Sequence, residues 1–185
     1  MDKVKVIVLN GPPQCGKDTI GKELVKSIDK AIQGEFKGLL LKILKQTLNL
    51  SDDTFDMMYA NRELKDVKQP FFNGKSIRDI MISISEDYIK PMLGQDYIGK
   101  YELTKIKRGN AKCIIYTDGG FYDEIRPLLE DDSIELHVIQ IHREGCSFSG
   151  DSRGWLVGDY LFPIRINNDG SVQEAVESIR YNLNI

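Results

Sequence analysis

The chain has 185 residues, a net charge of -3 from 25 basic and 28 acidic side chains, and a hydrophobic fraction of 41%. This length suits one globular domain, and the composition excludes a disordered or collagen-like chain. No apolar run is long enough for a transmembrane helix, and so slightly acidic a chain is not expected to coat nucleic acid in bulk.

The first residues are apolar and β-branched and predict a buried strand at 4–9. We interpret them as a strand rather than a signal peptide because no small-residue cleavage site follows. The three cysteines, Cys15, Cys113 and Cys146, follow no disulfide or zinc spacing. A sparse, odd cysteine count indicates a reduced protein, so we expect a cytoplasmic location.

The remaining predicted elements alternate along the chain. Short apolar runs predict further strands at 33–36, 113–116, 136–141 and 162–166. Helical spacing and capping residues predict helices at 17–31, 39–48, 51–59, 76–88, 96–107, 122–129 and 172–183. This α/β alternation predicts three layers, a five-stranded parallel sheet with helices on both faces. Ligands of such sheets bind outside the carboxyl ends of the strands, so the loops after residues 9, 116 and 141 are the expected site.

The most specific signal follows the first predicted strand. Its residues are Gly11-Pro12-Pro13-Gln14-Cys15-Gly16-Lys17-Asp18-Thr19. They have the G-x-x-x-x-G-K spacing of a phosphate-binding loop, between a predicted strand and a predicted helix. Two glycines permit backbone angles that turn N–H groups toward an anion, and the helix directs its positive end there. Lys17 then supplies a cation to the β- and γ-phosphates of a nucleotide.

Position 18 differs from the usual loop, which has a serine or threonine hydroxyl there. Asp18 offers a hard oxygen ligand instead, for Mg²⁺ directly or through water. Thr19 can still donate to an α-phosphate. Cys15 fits a small filler of the loop better than a nucleophile.

Three further residues are candidates at the same predicted edge. Asp118 follows a predicted strand and either holds Mg²⁺ through water or occupies a turn before two glycines. Arg143 and Arg153 lie in a glycine-containing polar segment at about 143–158, which either forms a lid over the transferred phosphoryl group or is a solvated loop.

A basic run covers the end of the helix predicted at 96–107. Its members are Lys100, Lys105, Lys107, Arg108 and Lys112. Such a run usually marks a solvated helix face, and nucleic-acid contact is the minority interpretation.

With these motifs in order, the chain resembles the P-loop nucleoside monophosphate kinases, and most of all those of bacteriophages that act on deoxynucleotides. The segments that carry the resemblance are Gly16-Lys17-Asp18-Thr19, residues 38–42, Ser76-Ile77-Arg78-Asp79-Ile80-Met81 and Asn167-Asn168-Asp169-Gly170-Ser171. The resemblance spans nearly the whole chain, and only the phosphate loop is highly specific.

The resemblance implies a single P-loop NTPase domain over 1–185, with an acceptor-binding helical insert at about 38–108. It implies transfer of the ATP γ-phosphoryl group to a (deoxy)nucleoside 5′-monophosphate, with Mg²⁺ held by Asp18, Thr19 and Asp118. The acceptor phosphate would be held by Arg78, with Lys42 and Arg62 as further candidates. The alternative for Arg78 is a surface ion pair with an acid such as Asp79. The resemblance also implies that the partners are small-molecule nucleotides. The expected location is the host cytoplasm if a phage encodes the chain. The oligomeric state stays open, with a homodimer as one possibility.

Three positions differ from the family pattern. Gly120 stands where the family carries an arginine, two residues after Asp118, and Ile82 and Ser85 stand where it carries glutamine and glycine. The missing arginine motivates one alternative function, a catalytically weakened nucleotide-binding module, unless Arg126 or a lid arginine replaces its charge. The basic run motivates another, a P-loop kinase that acts on a modified base in DNA.

Overall fold

The computed structural model of the protein describes residues 3–60 and 64–185. Its strands are β1 (Val4–Asn10), β2 (Ala31–Gly34), β3 (Cys113–Tyr116), β4 (Ile134–His142) and β5 (Ile164–Asn167). They form one parallel sheet in the order β2-β3-β1-β4-β5. The predicted five-stranded parallel sheet is confirmed.

The α-helices are α1 (Lys17–Ser27), α2 (Gly38–Leu48), α3 (Asp52–Ala60), α4 (Ile77–Ser83), α5 (Lys90–Leu93), α6 (Tyr97–Arg108), α7 (Tyr122–Leu129) and α8 (Val172–Leu183). A π-helical segment, Ile84–Ile89, joins α4 to α5, and single 3₁₀ turns lie at Leu64–Asp66 and Pro70–Phe72. Among the described residues, no helix has the length and apolar character needed to cross a membrane.

Side chains on one face of the sheet build the main core. Ile7, Leu9 and Ile115 are fully buried there against Leu24 of α1 and Ile179 of α8. On the other face, the Tyr116 hydroxyl donates to Glu102 of α6 at 2.9 Å, and α7 packs against β4. Helices therefore cover both faces, as the sequence pattern predicts, because successive side chains of a strand point in opposite directions.

The described chain divides into two compact units. Lys37–Tyr97 forms one unit, which contains α2 to α5, and the sheet with its flanking helices forms the other. Leu44, Phe55 and Ile77 form the buried core of the Lys37–Tyr97 unit. The predicted insert runs to about residue 108, whereas this unit ends at Tyr97.

Several predicted boundaries are wrong: the strands predicted at 33–36 and 136–141 are Ala31–Gly34 and Ile134–His142, and the helix predicted at 76–88 is α-helical only over Ile77–Ser83. The helix predicted at 17–31 ends at Ser27, because Ile28 has an extended backbone (φ -112°, ψ 124°) and Ala31–Gly34 then pairs with β3. Ile28 is apolar and fits the helical spacing of Ile20 and Leu24, so the pattern extended the predicted helix too far. Its side chain does pack against the main core, but the residue lies beyond the end of α1. β5 begins at Ile164, two residues later than predicted, directly after Pro163, which has no N–H group for a strand ladder.

The sheet order places the predicted site loops together. β1 is central, with β3 on one side and β4 on the other. Because the strands are parallel, the loops that follow these three strands leave the sheet at the same edge. β2 and β3 lie on one side of β1, and β4 and β5 lie on the other, so the strand order switches direction at β1. Ligands of open α/β sheets bind at such a switch point.

Candidate functional site

The phosphate loop connects β1 to α1, and its shape requires both of its glycines. Gly16 has a left-handed backbone (φ 100°), and a Cβ atom there would overlap the Asn168 amide. A Cβ atom on Gly11 would lie 2.6 Å from the Ile141 carbonyl oxygen and 2.8 Å from Cys15 Sγ. Gln14 is also left-handed, with φ 66°. Alternating backbone conformations of this kind turn N–H groups inward as an anion nest.

Lys17 is the first residue of α1, and its side chain reaches back across the loop. Its Nζ atom donates to the carbonyl oxygens of Gly11 and Pro12, both at 2.7 Å, and the residue is only 8% exposed. Burial lowers the pKa of Lys17. Since both acceptors are neutral carbonyls, the ammonium charge is available for an anion.

Asn168, in the turn after β5, supports the loop from below. Its Nδ2 atom donates to the Cys15 carbonyl oxygen at 2.8 Å, and its backbone N–H donates to the His142 carbonyl oxygen at 2.7 Å. The side chain is almost fully buried, and within the described residues its Oδ1 atom has no hydrogen-bond partner. Cys15 is buried beside Lys17, and burial raises the pKa of its thiol, which agrees with the predicted filler role.

Two carboxylates lie at the loop and at the end of β3. Asp18 accepts a hydrogen bond from the buried Thr117 hydroxyl at 2.7 Å. Asp118, the next residue, accepts from the Phe36 N–H at 3.2 Å. Among the described residues, no group of three or more His, Cys, Asp or Glu side chains is arranged to hold a metal ion. Two carboxylates are enough protein ligands for Mg²⁺, because this ion keeps several waters and takes substrate phosphates as its other ligands.

Arg153 lies against the loop after β3. A Cβ atom on Gly120 would overlap the Cγ and Cδ atoms of Arg153, so the arginine occupies the space that a side chain at position 120 would need. Asp151 holds the guanidinium through both carboxylate oxygens, at 2.9 Å to Nε and 2.6 Å to Nη2. These hydrogen bonds from Arg153 lower the pKa of Asp151 to about 2, and the pairing raises the pKa of Arg153. Arg143, by contrast, is exposed in the turn that follows β4.

The acceptor candidates lie in the Lys37–Tyr97 unit. Arg78 is in the first turn of α4, half exposed, and its guanidinium forms a two-point ion pair with Asp66. Asp79 instead caps the helix, with its carboxylate accepting from the Ser76 N–H at 2.9 Å. Lys42 is exposed on α2. Arg62 lies outside the described residues.

Sequence reasoning missed three buried amides at this edge. Asn10 ends β1, Gln140 lies two residues before the end of β4, and Asn168 follows β5; each is at most 4% exposed. The available signal was a polar amide at the carboxyl end of an otherwise apolar strand. An amide there is buried only if it is hydrogen-bonded, so such residues are candidates to hold loops.

Comparisons with known proteins bear on the fold. No protein-family model matches the chain, and no curated protein matches its sequence. Among solved structures, it is similar to the tunicamycin resistance protein of Deinococcus radiodurans, with a TM-score of 0.54 and 12% identity over 99% of this chain and 97% of that one. A sugar kinase from Janibacter sp. has a TM-score of 0.51 and 11% identity over 99% and 95%. An APS kinase from Mycobacterium tuberculosis has a TM-score of 0.50 and 12% identity over the whole of both chains.

At this identity the likeness shows the fold. The sheet order, the helices on both faces and the phosphate loop after β1 define a protein of the three-layer α/β P-loop class, in the fold that these kinases share. The candidate site lies at the carboxyl edge of its sheet.

Proposed function

We propose that the chain is an ATP-dependent phosphotransferase that acts on a (deoxy)nucleoside 5′-monophosphate. The observation that carries this proposal is the buried Lys17 ammonium, whose hydrogen bonds to two backbone carbonyls and to the Cys15 sulfur hold it inside a glycine-shaped loop at a helix N-terminus. This arrangement suits the β- and γ-phosphates of a nucleotide.

In the proposed reaction, an oxygen of the acceptor monophosphate forms a bond to the γ-phosphorus. The bond from that phosphorus to the β–γ bridging oxygen breaks, and its electron pair leaves on ADP. No general base is needed, because the acceptor is already an anion and catalysis consists mostly of positioning and charge stabilisation.

We assign the roles in the proposed reaction as follows. Lys17 and the backbone N–H groups of the loop residues Gln14, Cys15 and Gly16 hold the donor phosphates. Asp18, Thr19 and Asp118 supply oxygen ligands to Mg²⁺, which when bound would neutralise phosphate charge. Arg153 offers a held guanidinium beside the β3 loop, and Arg143 offers an exposed one after β4.

For the acceptor, we propose Arg78, with Lys42 and Arg62 as further contacts. A guanidinium donates two parallel hydrogen bonds to a phosphate, as Arg78 now donates to the Asp66 carboxylate. Binding the acceptor would therefore exchange one bidentate partner for another. The deoxynucleotide preference, phage origin and cytoplasmic location stay predictions.

The DNA-directed alternative loses support from the basic run that motivated it. Lys105 pairs with Glu102 at 2.8 Å and Lys107 pairs with Asp131 at 2.5 Å, so part of the run is neutralised within the protein. The weakened-module alternative rests on the missing arginine at position 120, where Arg153 now lies.

A panel of acceptors tests the proposal. Each nucleoside and deoxynucleoside monophosphate is incubated with ATP, Mg²⁺ and the protein, and ADP formation is measured; a simple sugar and adenylyl sulfate serve as acceptors of other classes. We expect ADP formation that depends on at least one monophosphate. ADP formation only with the other acceptors would move the proposal to a different substrate, and none with any acceptor would reject it.

A further inference from the structure

The segment before β5 is tied to the sheet by two buried amides. Asn10 Oδ1 accepts from the Leu156 N–H at 3.0 Å, and Asn10 Nδ2 donates to the Gly154 carbonyl oxygen at 3.0 Å. Gln140 Nε2 donates to the Leu156 carbonyl oxygen, also at 3.0 Å. Asn10 and Gln140 are partners in the register between β1 and β4, so the two amides extend side by side from neighbouring strands.

We call residues 154–156 and these two amides the amide clamp. Leu156, whose N–H and carbonyl are both held, is 2% exposed, and the two amides are 1% and 4% exposed. Buried hydrogen bonds with these partners fix the backbone on both sides of Trp155, because breaking them would leave buried polar groups unsatisfied. The clamp therefore holds this part of the predicted lid against the sheet.

Arg153 immediately precedes the clamp. Its methylene groups lie on Gly120, and its guanidinium is held by Asp151. Burial lowers the pKa of Lys17 and the nearby Arg153 charge lowers it further, while Asp118 contributes to the raised pKa of Arg153. Arg153 is therefore near enough to both Lys17 and Asp118 to affect, and be affected by, their charges.

We infer that Asn10 is a positioning residue for phosphoryl transfer: by fixing residues 154–156, it fixes Arg153 over Gly120 beside the proposed site of the transferred group. This inference rests on the proposed function. Gly120 is the matching half of the arrangement, since only a residue without a side chain leaves room for the arginine. The charge that position 120 lacks is supplied from residue 153.

The test compares Asn10→Leu, which keeps the branched shape and number of heavy atoms but removes both clamp hydrogen bonds and the longer one to the Gly119 carbonyl at 3.5 Å, with Arg153→Ala and the double variant. We expect Arg153→Ala to lower kcat about 10²-fold, the cost of one preorganised charge stabiliser. Asn10→Leu should lower kcat at least about tenfold with little change in the KM for ATP, since the loop stays intact. The double variant should be no slower than Arg153→Ala, since residues that act as a unit are not additive. Multiplied effects, or an unchanged kcat in Asn10→Leu, would overturn the inference.

A second variant reaches Arg153 without touching the clamp. Gly120→Ala places a methyl group where the Arg153 side chain lies, so kcat should fall while the clamp stays closed. Gly109→Ala is the matched control, because its new Cβ atom would meet only ordinary contacts at 3.4 Å and beyond. A Gly120→Ala enzyme as active as Gly109→Ala would contradict the role of Arg153 over Gly120.

The clamp can be measured without any activity, because Trp155 is the only tryptophan in the chain. We expect Asn10→Leu to make Trp155 fluorescence more accessible to acrylamide, and Gly120→Ala to leave it unchanged. If the wild type shows no transfer activity but Asn10→Leu is still quenched more strongly than the wild type, the proposed function is rejected and the amide clamp is supported. Equal quenching in wild type and a folded Asn10→Leu would reject the clamp itself.

Discussion

The phosphate-loop region and the Lys37–Tyr97 unit hold their candidate phosphate-binding cations in opposite ways. Lys17 is 8% exposed and bonded to two backbone carbonyls, on a loop shaped by Gly11 and Gly16 and supported by Asn168. The Arg78 side chain is 49% exposed and bonded to one half-exposed carboxylate, Asp66. Backbone carbonyls hold the first cation, whereas a half-exposed side-chain ion pair holds the second.

We infer from this difference that the phosphate loop serves the transfer of the phosphoryl group and that the Lys37–Tyr97 unit serves recognition of the acceptor. A cation fixed by the main chain serves any nucleotide triphosphate, because its partners do not depend on the base or the acceptor. A cation held by one exposed ion pair is easily redirected, since such pairs contribute only about 0–1 kcal/mol. We therefore expect substitutions in the phosphate loop to lower kcat strongly. Substitutions in the Lys37–Tyr97 unit should instead weaken binding of the monophosphate and leave ATP binding unchanged.

The largest expected effect is at Lys17. Lys17→Ala removes a preorganised charge, so kcat should fall at least about 10²-fold while the thermal melt changes little. Lys26→Ala is the control, because Lys26 lies on the same helix and pairs with Glu23 at the surface. A Lys17→Ala enzyme within a few-fold of the Lys26→Ala enzyme would show that the loop does not hold the reacting phosphates.

The second effect separates the two regions. Arg78→Ala should weaken monophosphate binding by roughly 1.5–3 kcal/mol, the scale of a charge-assisted hydrogen bond, and leave ATP binding unchanged. Arg78→Lys should recover part of the loss, because an ammonium cannot reproduce the planar fork. Asp66→Asn should not weaken monophosphate binding, since it removes the carboxylate that competes with the phosphate for Arg78. Calorimetric titrations with each nucleotide measure all three, and equal weakening for ATP and monophosphate would refute the assignment.

A third prediction concerns acid. The hydrogen bonds from Arg153 depress the folded-state pKa of Asp151 to about 2, so its stabilising contribution is present above its ordinary pKa and is lost as the pH falls toward 2. Trp155 fluorescence should therefore change between about pH 4 and pH 2. Asp151→Asn removes the titrating group, and the same acid transition in that variant would contradict the pairing.

The smallest effects compare one motif in both regions. Ser76 and Ser171 each form a capping box, with Asp79 and Glu174, at the start of α4 and α8. Replacing either serine with alanine should lower the free energy of unfolding by about 0.5–2 kcal/mol. Ser76→Ala should cost more, because Ser76 is 3% exposed whereas Ser171 is exposed. Denaturant melts measure both, and a larger loss for Ser171→Ala would contradict the burial argument.

The sequence predicted the parts of the molecule whose signals are local. Buried parallel strands are continuous apolar runs, and the loop has a fixed spacing, so β1, β3 and residues 11–17 could be predicted from the residues alone. The α1 boundary was wrong because Ile28 fits a helical pattern and the strand pairing that draws the chain out of the helix depends on distant β3.

The amide contacts could not be predicted, because their partners are far away in sequence. Asn10 meets Leu156 across 146 residues, and Asn168 meets Cys15 across 153. The choice of Asp66 by Arg78 depends on how residues 64–66 fold, which no local pattern indicates. Side-chain roles at the site therefore emerge only from the packed structure.

Following the γ-phosphoryl group itself is the decisive experiment for the proposed phosphoryl transfer. ATP with a radiolabelled γ-phosphate is mixed with the protein, Mg²⁺ and each monophosphate in turn, and the products are separated, with Lys17→Ala in parallel. We expect the radiolabel to appear in a nucleoside diphosphate, and we expect the Lys17→Ala variant to produce far less labelled diphosphate than the wild type. Label released only as inorganic phosphate, or retained in ATP with every acceptor, would contradict it.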